Sequence, residues 1–278
     1  YGSNPDSSAT TNAFSKIETV VYASTTLNTG HAWGTGKETI ILPVLARDEE
    51  KQSTTQESMF SFVRLSDGGI NRYQNLRSEV EVISEIASRV LGNDKLFNWS
   101  ELENHNSIRT MISKIIPGFE SMDSIGESKT EFHIPGRILN KPVFPTESTK
   151  AKFIYHPIPN LDKLKENEFQ LLSVRSEGQF NTVVYEEKDL YRNQDRRDVV
   201  LMNKDDMSKM GFSENDSVSV KSKTGIMNHI LVRPFDIKKG AVLMYYPEVN
   251  SLISQGVDPL SRTPGFKSTI VIIQASQS

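Results

Sequence analysis

The sequence predicts an α/β domain over residues 1–145, followed by a mainly-β domain over residues 146–278. Apolar strand segments and amphipathic helices predict the first domain, and six short strand segments joined by short connections predict the second. The length of 278 residues is sufficient for two domains, each with its own core. Apolar residues make up 36% and charged residues 24% of the chain, a balance typical of globular proteins rather than disordered or fibrous ones.

Two short apolar segments predict the strands of the first domain. Residues 17–26 form a β-branched run, preceded by a short helix at about residues 11–15. Residues 39–43 are nearly all apolar, and they stop at Pro43. Strands that are apolar along their whole length are typical of parallel sheets buried on both faces. We therefore expect a parallel sheet covered by helices.

Two amphipathic segments predict the covering helices. Residues 107–116 end at Pro117, and residues 77–91 end at Gly92, which supplies a helix stop. We expect the apolar face of the longer helix to pack on the sheet. That face consists of Val80, Ile83, Ile86, Ala87, Val90 and Leu91.

The second half begins after a proline-rich stretch. Residues 118–168 show little periodicity, which predicts an extended connector. The strand segments that follow predict a closed barrel. A helix over residues 205–210 is expected to begin at a cap, Asn203 or Asp205, and to end at Gly211. The predicted strands are residues 169–174, 198–203, 217–222, 229–234, 241–246 and 269–274.

Composition excludes several classes of function. The chain has no cysteine, which excludes disulfides, thiolate zinc sites, iron–sulfur ligation and a cysteine nucleophile from this polypeptide. Its five histidines include no pair at the i, i+4 spacing, so we assign no metal ligand, and no catalytic residue, to this chain. A net charge of −3 does not indicate a nucleic-acid-binding surface.

No targeting or membrane segment is evident. No apolar run approaches the roughly 18 residues of a membrane span, and no signal segment precedes the first strand, so a cytoplasmic location is expected. The chain opens on Tyr1 without a methionine, and we expect it to be part of a longer polypeptide.

Residues 34–38, G-T-G-K-E, are similar to the end of a phosphate-binding P-loop. His31 stands where the first glycine would be, and Glu38 stands where a metal-binding Ser or Thr is needed. A strand, and not a helix, is predicted to follow. We therefore expect a glycine-rich loop between two strands.

An acidic group, Glu38 with Asp48, Glu49 and Glu50, is predicted to be a solvated loop. The alternative is a hydrolase whose carboxylates pair in a cleft.

Three later segments carry groups suited to a nucleotide-like ligand. The loop at residues 174–182 holds Arg175, Gln179 and Asn181, whose planar donor and acceptor groups can recognise phosphates and purine edges. Residues 245–250 and 263–267 place aromatic, amide and ammonium groups near two late strands. The alternatives are a solvated hairpin loop for the first segment and a proline-stabilised loop with core aromatics for the others.

The order of these segments resembles the C-terminal half of the large subunit of molybdopterin oxidoreductases, closest to the formate-dehydrogenase-like branch. The first half resembles the third domain of the same family. The matching segments are V-R-S-E-G-Q-F-N-T-V-V-Y (174–185), L-M-N-K-D-D-M-S-K-M-G-F (201–212), S-E-N-D-S-V-S-V-K-S-K-T-G (213–225), Y-Y-P-E-V-N-S-L (245–252), T-P-G-F-K-S (263–268), G-S-N-P (2–5), V-V-Y-A-S-T-T-L-N (20–28), I-I-L-P (40–43) and L-R-S-E-V-E-V-I-S-E-I-A (76–87).

The resemblance implies a Rossmann-like α/β domain followed by a double-psi β-barrel. It implies that the domains bind molybdopterin guanine dinucleotide carrying molybdenum or tungsten. The cofactor contacts implied in the barrel are Arg175, Gln179, Asn181, Asn250 and Lys267, and those implied in the first domain are Gly2, Asn4 and Thr26. Gln179 stands where formate dehydrogenases carry a histidine, which argues against formate as the substrate.

The resemblance also implies partners. The iron–sulfur cysteines and the metal-ligating residue of the family lie in upstream domains, so we expect an N-terminal half of the same polypeptide to complete the enzyme. A small-molecule substrate and an electron-transfer partner are implied, and this part alone is expected to be inactive. The alternative function is a double-psi-barrel adaptor or interaction module without redox activity.

Overall fold

The structure is a computed structural model that describes residues 2–92, 97–137, 142–157, 163–176, 179 and 187–276. The chain forms two compact units. One contains Tyr1–Val20, Asn28–Thr39 and Pro159–Ser278, and the other contains Val21–Leu27 and Ile40–Ile158. The predicted boundary after residue 145 stays a prediction. No helix in the described part of the chain has both the length and the apolar character needed to cross a membrane.

The first unit contains a closed barrel of six strands, which confirms the six predicted strand segments. The barrel strands are β6 (Glu168–Val174), β7 (Val199–Met202), β8 (Ser217–Lys221), β9 (Ile226–Pro234), β10 (Ala241–Tyr245) and β11 (Thr269–Ala275). Around the barrel their order is β10, β6, β11, β8, β9, β7. The β6–β10 and β7–β9 pairs are parallel, and the other four pairs are antiparallel. This six-stranded barrel fits the predicted double-psi β-barrel.

Alternate residues of the barrel strands pack into two different clusters. Val200 and Met202 of β7 join a cluster to which all six strands contribute, and this cluster is therefore the barrel interior. Val199 and Leu201 join a second cluster on the opposite face, together with Tyr245 of β10. Because side chains alternate along a strand, burial on both faces requires a continuous apolar sequence, as in Val199–Met202 of β7.

Short helices flank the barrel strands in this unit. In α6 (Lys204–Met210) the Asn203 side chain accepts a hydrogen bond from the Asp205 N–H (2.9 Å), so Asn203 is the cap. Gly211 ends this helix with a φ of 72°, as predicted. The unit also contains α1 (Ser7–Phe14), α2 (Thr29–Trp33) and a 3-10 helix (Glu248–Leu252). The helix α2 ends just before residues 34–37, which form a loop as predicted.

The second unit contains a three-stranded antiparallel sheet with helices. The strands are β3 (Thr54–Glu57), β4 (Phe62–Ser66) and β5 (Phe132–His133). The helices are α3 (Glu79–Leu91), α4 (His105–Ile115) and α5 (Ile125–Ser128), with 3-10 helices at Trp99–Glu103 and Glu120–Met122. Val63, Phe119, Met122, Ile125 and Ile134 form its core.

The prediction of an extended connector over residues 118–168 is wrong for its first part. This part contains the 3-10 helix Glu120–Met122, α5 and β5. Phe119, Met122 and Ile125 recur every three residues and are all buried in the core of this unit. The prolines lie mainly in the later part of the segment, but they led to an extended structure being predicted for the whole of it.

The predicted burial of the α3 apolar face is also wrong for the described structure. Ile83, Ile86, Val90 and Leu91 are 47–74% exposed, and Ser84 is the buried residue of α3. The helix itself forms as predicted, because Ser78 and Glu81 make a capping box at its start and Gly92 follows its end.

The strands β1 (Thr19–Ser24) and β2 (Glu38–Pro43) form a two-stranded sheet. The Lys37 N–H donates to the Ile17 carbonyl, and the Val44 N–H donates to the Ser24 carbonyl. The first bond joins the starts of the two strands and the second joins their ends, so the strands run parallel. Apolar side chains of this sheet, among them Val21, Ile40 and Ile41, are 39–49% exposed. The predicted covered sheet is absent from the described residues, and a Rossmann-like domain stays a prediction.

Candidate functional site

Three loop segments meet at one rim of the barrel. The parallel strands β6 and β10 end side by side, and the Tyr246 N–H donates to the Val174 carbonyl (2.8 Å) just beyond their ends. Strand β11 runs antiparallel to β6, so Lys267, two residues before β11, lies at the same rim. This rim therefore brings together the loops after β6 and β10 and the segment before β11, as their chemistry suggested.

Cationic side chains gather around this rim. The Arg175 guanidinium lies 5.0 Å from the centre of the Tyr246 ring. The Lys267 ammonium donates to the Ser173 carbonyl. Partial burial, followed by the charges of Arg175 and Arg192, lowers the pKa of Lys267. Among the described residues, Arg175 and Lys267 have no carboxylate partner, so the rim favours an anion.

Asn250 presents an unused acceptor at the 3-10 helix Glu248–Leu252. Its side chain is fully buried, and its Nδ2 donates to the Gly2 carbonyl (2.8 Å). Within the described part of the chain, Asn250 Oδ1 is buried without a hydrogen-bond partner. A buried, unpaired acceptor is costly unless a ligand or water pairs with it. Two predicted site residues, Gly2 and Asn250, thus lie together.

A buried polar network lies behind the rim. Arg197 donates to the Glu248 carboxylate (2.7 Å), to Ser176 Oγ (2.8 Å) and to the Tyr246 carbonyl (2.5 Å). The Gln179 amide donates to the same Tyr246 carbonyl (3.1 Å). Arg197 was not predicted as a site residue, because it lies within the charged run D-R-R-D at residues 195–198, where nothing in the sequence separates a buried arginine from an exposed one.

A second buried group lies beside this network. The Tyr245 hydroxyl donates to Asp189 Oδ2 (2.8 Å), and Arg192 Nη1 donates to the same carboxylate oxygen (2.6 Å). Arg192 Nη1 also donates to the Arg175 carbonyl (3.1 Å), which links this group to the rim. Burial and the hydrogen bond to Asp189 raise the pKa of Tyr245, so it remains a donor.

The other predicted site residues have different positions. Gln179 is buried in the polar network, with its Oε1 accepting from the Ser176 N–H (3.2 Å). Asn181 lies outside the described residues. Asn4 is exposed before α1, and Thr26 is exposed after β1 in the second unit. The cofactor roles of all eight residues stay predictions.

The prediction of a solvated acidic loop is wrong for Glu49 and Glu50, which are 7% and 8% exposed. Glu49 Oε2 accepts from the Ala46 N–H (2.8 Å), and Glu50 Oε1 accepts from a backbone N–H (3.2 Å). Arg72 pairs with Asp48, and this hydrogen bond holds the pKa of Asp48 below its usual value. These carboxylates stabilise a loop. The raised pKa that a catalytic acid requires is not found at Asp48.

Comparison with known proteins agrees with this geometry. Residues 169–270, which contain the rim and the barrel strands except for Glu168 and the last five residues of β11, match the family described as "Molydopterin dinucleotide binding domain". The barrel is a molybdopterin dinucleotide-binding domain of the molybdopterin oxidoreductase type. The predicted resemblance to this family is thereby confirmed for residues 169–270.

The curated relatives that this chain matches are longer than the chain itself. An uncharacterized oxidoreductase of Mycobacterium tuberculosis is 28% identical over 97% of this chain, which covers 37% of the relative. Protein YdeP of Escherichia coli is 27% identical over 98% of this chain, which covers 38% of the relative. Acetylene hydratase from Pelobacter acetylenicus shares the fold, with a TM-score of 0.56, 14% identity, and coverage of 98% of this chain and 46% of that chain.

Proposed function

We propose that this chain is the cofactor-binding, C-terminal part of a formate-dehydrogenase-like molybdopterin oxidoreductase. It would hold the guanine dinucleotide arms of a bis-molybdopterin cofactor. The observation that carries this proposal is the meeting of Arg175 and Lys267 with the Tyr246 ring at one barrel rim, with the buried Asn250 amide four residues after Tyr246. A dinucleotide offers phosphates and heteroaromatic rings, which require cationic, aromatic and amide partners.

The residues present fit such a group. The guanidinium of Arg175 and the ammonium of Lys267 have no carboxylate partner among the described residues, so their charges are available to phosphates. The buried Asn250 Oδ1, without a partner in the described part of the chain, can accept from the N–H of an amino-substituted ring. We also propose cofactor contacts for Gly2, which lies beside Asn250, and for Asn4, Thr26, Gln179 and Asn181.

When bound, the cofactor supplies the sulfur ligands and the molybdenum or tungsten ion that carry the electron chemistry. The residues of this chain would bind and orient it. Arg175 and Lys267 would neutralise phosphate charge, and Asn250 would fix a ring by its acceptor oxygen. No residue of this chain is proposed to be catalytic.

We further propose that a longer polypeptide completes the enzyme. The curated relatives are longer, since this chain covers 37–38% of their length. Exposed apolar side chains on α3 and on the β1–β2 sheet are surfaces that further segments would cover, as in a complete Rossmann-like domain. A small-molecule substrate, an electron-transfer partner and a cytoplasmic location belong to the same proposal. Because Gln179 replaces the histidine of formate dehydrogenases, we do not propose formate as the substrate.

Calorimetric titration of the full chain with guanosine diphosphate tests this proposal. We expect binding at millimolar ligand, and we expect Arg175→Gln and Lys267→Gln each to weaken it at least fivefold. Lys209→Gln, an exposed lysine on α6, is the matched control and should bind as the parent does. A parallel titration with adenosine diphosphate tests whether the protein distinguishes guanine from adenine. Absence of binding, or unchanged binding by both rim variants, would favour the adaptor function instead.

A further inference from the structure

Arg197 joins two of the three segments that build the rim, the loops after β6 and β10. Arg197 is 7% exposed. Its guanidinium contacts Ser176 after β6, and the Tyr246 carbonyl and Glu248 after β10. It also lies 4.9 Å from the centre of the Tyr245 ring. A planar guanidinium presents five donors in a fixed arrangement, so one side chain sets the relative positions of these segments.

The charge of Arg197 is compensated within the protein. Glu248 accepts from Arg197 Nε (2.7 Å) and from Nη2 (3.1 Å), which forms a bidentate pair. This distinguishes Arg197 from Arg175 and Lys267, whose charges meet no carboxylate among the described residues. Arg197 is therefore suited to hold the protein part of the site in place, and not to bind a phosphate.

Gln179 belongs to the same network. Its Oε1 accepts from the Ser176 N–H (3.2 Å) and from Arg197 Nη2 (3.3 Å), and its Nε2 donates to the Tyr246 carbonyl (3.1 Å). Both ends of the amide are thus engaged within the protein. This arrangement needs an acceptor and a donor on one planar group, which an amide provides.

We propose that Arg197, Gln179 and Glu248 form a positioning network that fixes Tyr246, and with it the cationic groups of the rim. Tyr246 is the connection, because the Arg175 guanidinium lies over its ring and the Phe266 ring contacts its edge at 6.4 Å between centroids. Phe266 immediately precedes Lys267. The network therefore controls the spacing of Arg175 and Lys267, the two rim cations that meet no carboxylate among the described residues. This inference rests on the proposed dinucleotide-binding function, and it changes the role of Gln179 from a ligand contact to a positioning residue.

The test compares Arg197→Lys and Glu248→Gln with Arg196→Lys. Arg196 is the adjacent arginine, half exposed and paired with Asp198, and it is the matched control. Guanosine diphosphate affinity is measured over a series of salt concentrations. We expect both network variants to weaken binding at least tenfold, with a salt dependence like that of the parent chain, because Arg197 contacts no phosphate. Lys267→Gln should instead reduce the salt dependence, since it removes a charge that contacts the ligand.

A second readout does not require ligand. Amide hydrogen exchange at Ser176 and Tyr246, whose N–H groups bond to Gln179 and Val174, should become faster in Arg197→Lys, while exchange in the β8–β9 pair stays unchanged. If Arg197→Lys fails to fold, Glu248→Gln carries the same test with nearly unchanged shape.

The outcomes separate the two proposals. If the parent chain binds no nucleotide while exchange is accelerated as expected, the proposed function fails and the network stands as a structural device. Unchanged exchange, or a network variant whose salt dependence falls as in Lys267→Gln, would overturn the positioning role.

Discussion

The hydrogen bond from Tyr245 to Asp189 gives the sharpest stability prediction. Both residues are 1% exposed, and the hydroxyl donates to a carboxylate oxygen at 2.8 Å. Tyr245→Phe removes the donor and leaves the ring in its cluster. Hydrogen bonds to charged groups contribute about 1.5–3 kcal/mol, and Asp189 keeps the Arg192 and Tyr191 donors, so we expect a loss of about 2 kcal/mol.

Urea unfolding followed by circular dichroism measures this loss. The midpoint should fall while the slope with denaturant stays unchanged, and melting should occur roughly 4–8 °C lower. Tyr191→Phe, in the same loop and 74% exposed, is the control and should change little. The raised pKa of Tyr245 means that its donor is present below the ordinary tyrosine pKa of 10.0 and is lost only as the pH rises through the raised value. The difference should therefore be constant between neutral pH and pH 10.0. A loss within about 0.5 kcal/mol of zero would refute the assigned bond.

Three further predictions concern the rim and the helices. The pKa of Lys267 is lowered, so this side chain loses its charge in the folded chain between the lowered pKa and 10.5. As the pH rises through this window, guanosine diphosphate affinity should fall and the free chain should become more stable. Lys267→Arg keeps the charge and should show no such fall in affinity. A Cβ at Gly225 would lie 2.5 Å from the Ser251 carbonyl oxygen. Gly225→Ala should therefore lower the free energy of unfolding in urea by about 1–3 kcal/mol, and it should weaken nucleotide binding by displacing the neighbouring Asn250. Gly256→Ala is the control and should have neither effect. Ser78→Ala removes the cap of α3 and should cost about 1 kcal/mol by thermal melting, while Ser88→Ala inside the helix should be neutral or stabilising.

The barrel was predictable from the sequence because its strands follow simple burial patterns. A strand buried on both faces must be apolar at every position, as Val199–Met202 is, whereas β6 and β8 are buried at alternate positions and β8 also alternates in sequence. The helix α6 was equally predictable, since a capping side chain and a terminal glycine act within a few residues. Local signals of this kind require no knowledge of the rest of the fold.

The α3 face illustrates where prediction from the sequence fails. Helical spacing of Ile83, Ile86 and Val90 predicts an amphipathic helix, and the helix is present. Spacing does not say what covers the apolar face, and in the described structure that face is exposed. Burial depends on the neighbouring segments, which a local pattern does not contain.

The sequence by itself determined the six barrel strands, their turns and the three loops that carry the rim side chains. Only the tertiary structure decided which polar residues are buried. Arg196 and Arg197 are adjacent and chemically identical, yet one is exposed and the other holds Tyr246 and Glu248 together. The physical reason is that burial of a charge depends on partners distant in sequence, and Glu248 meets Arg197 only when the barrel closes.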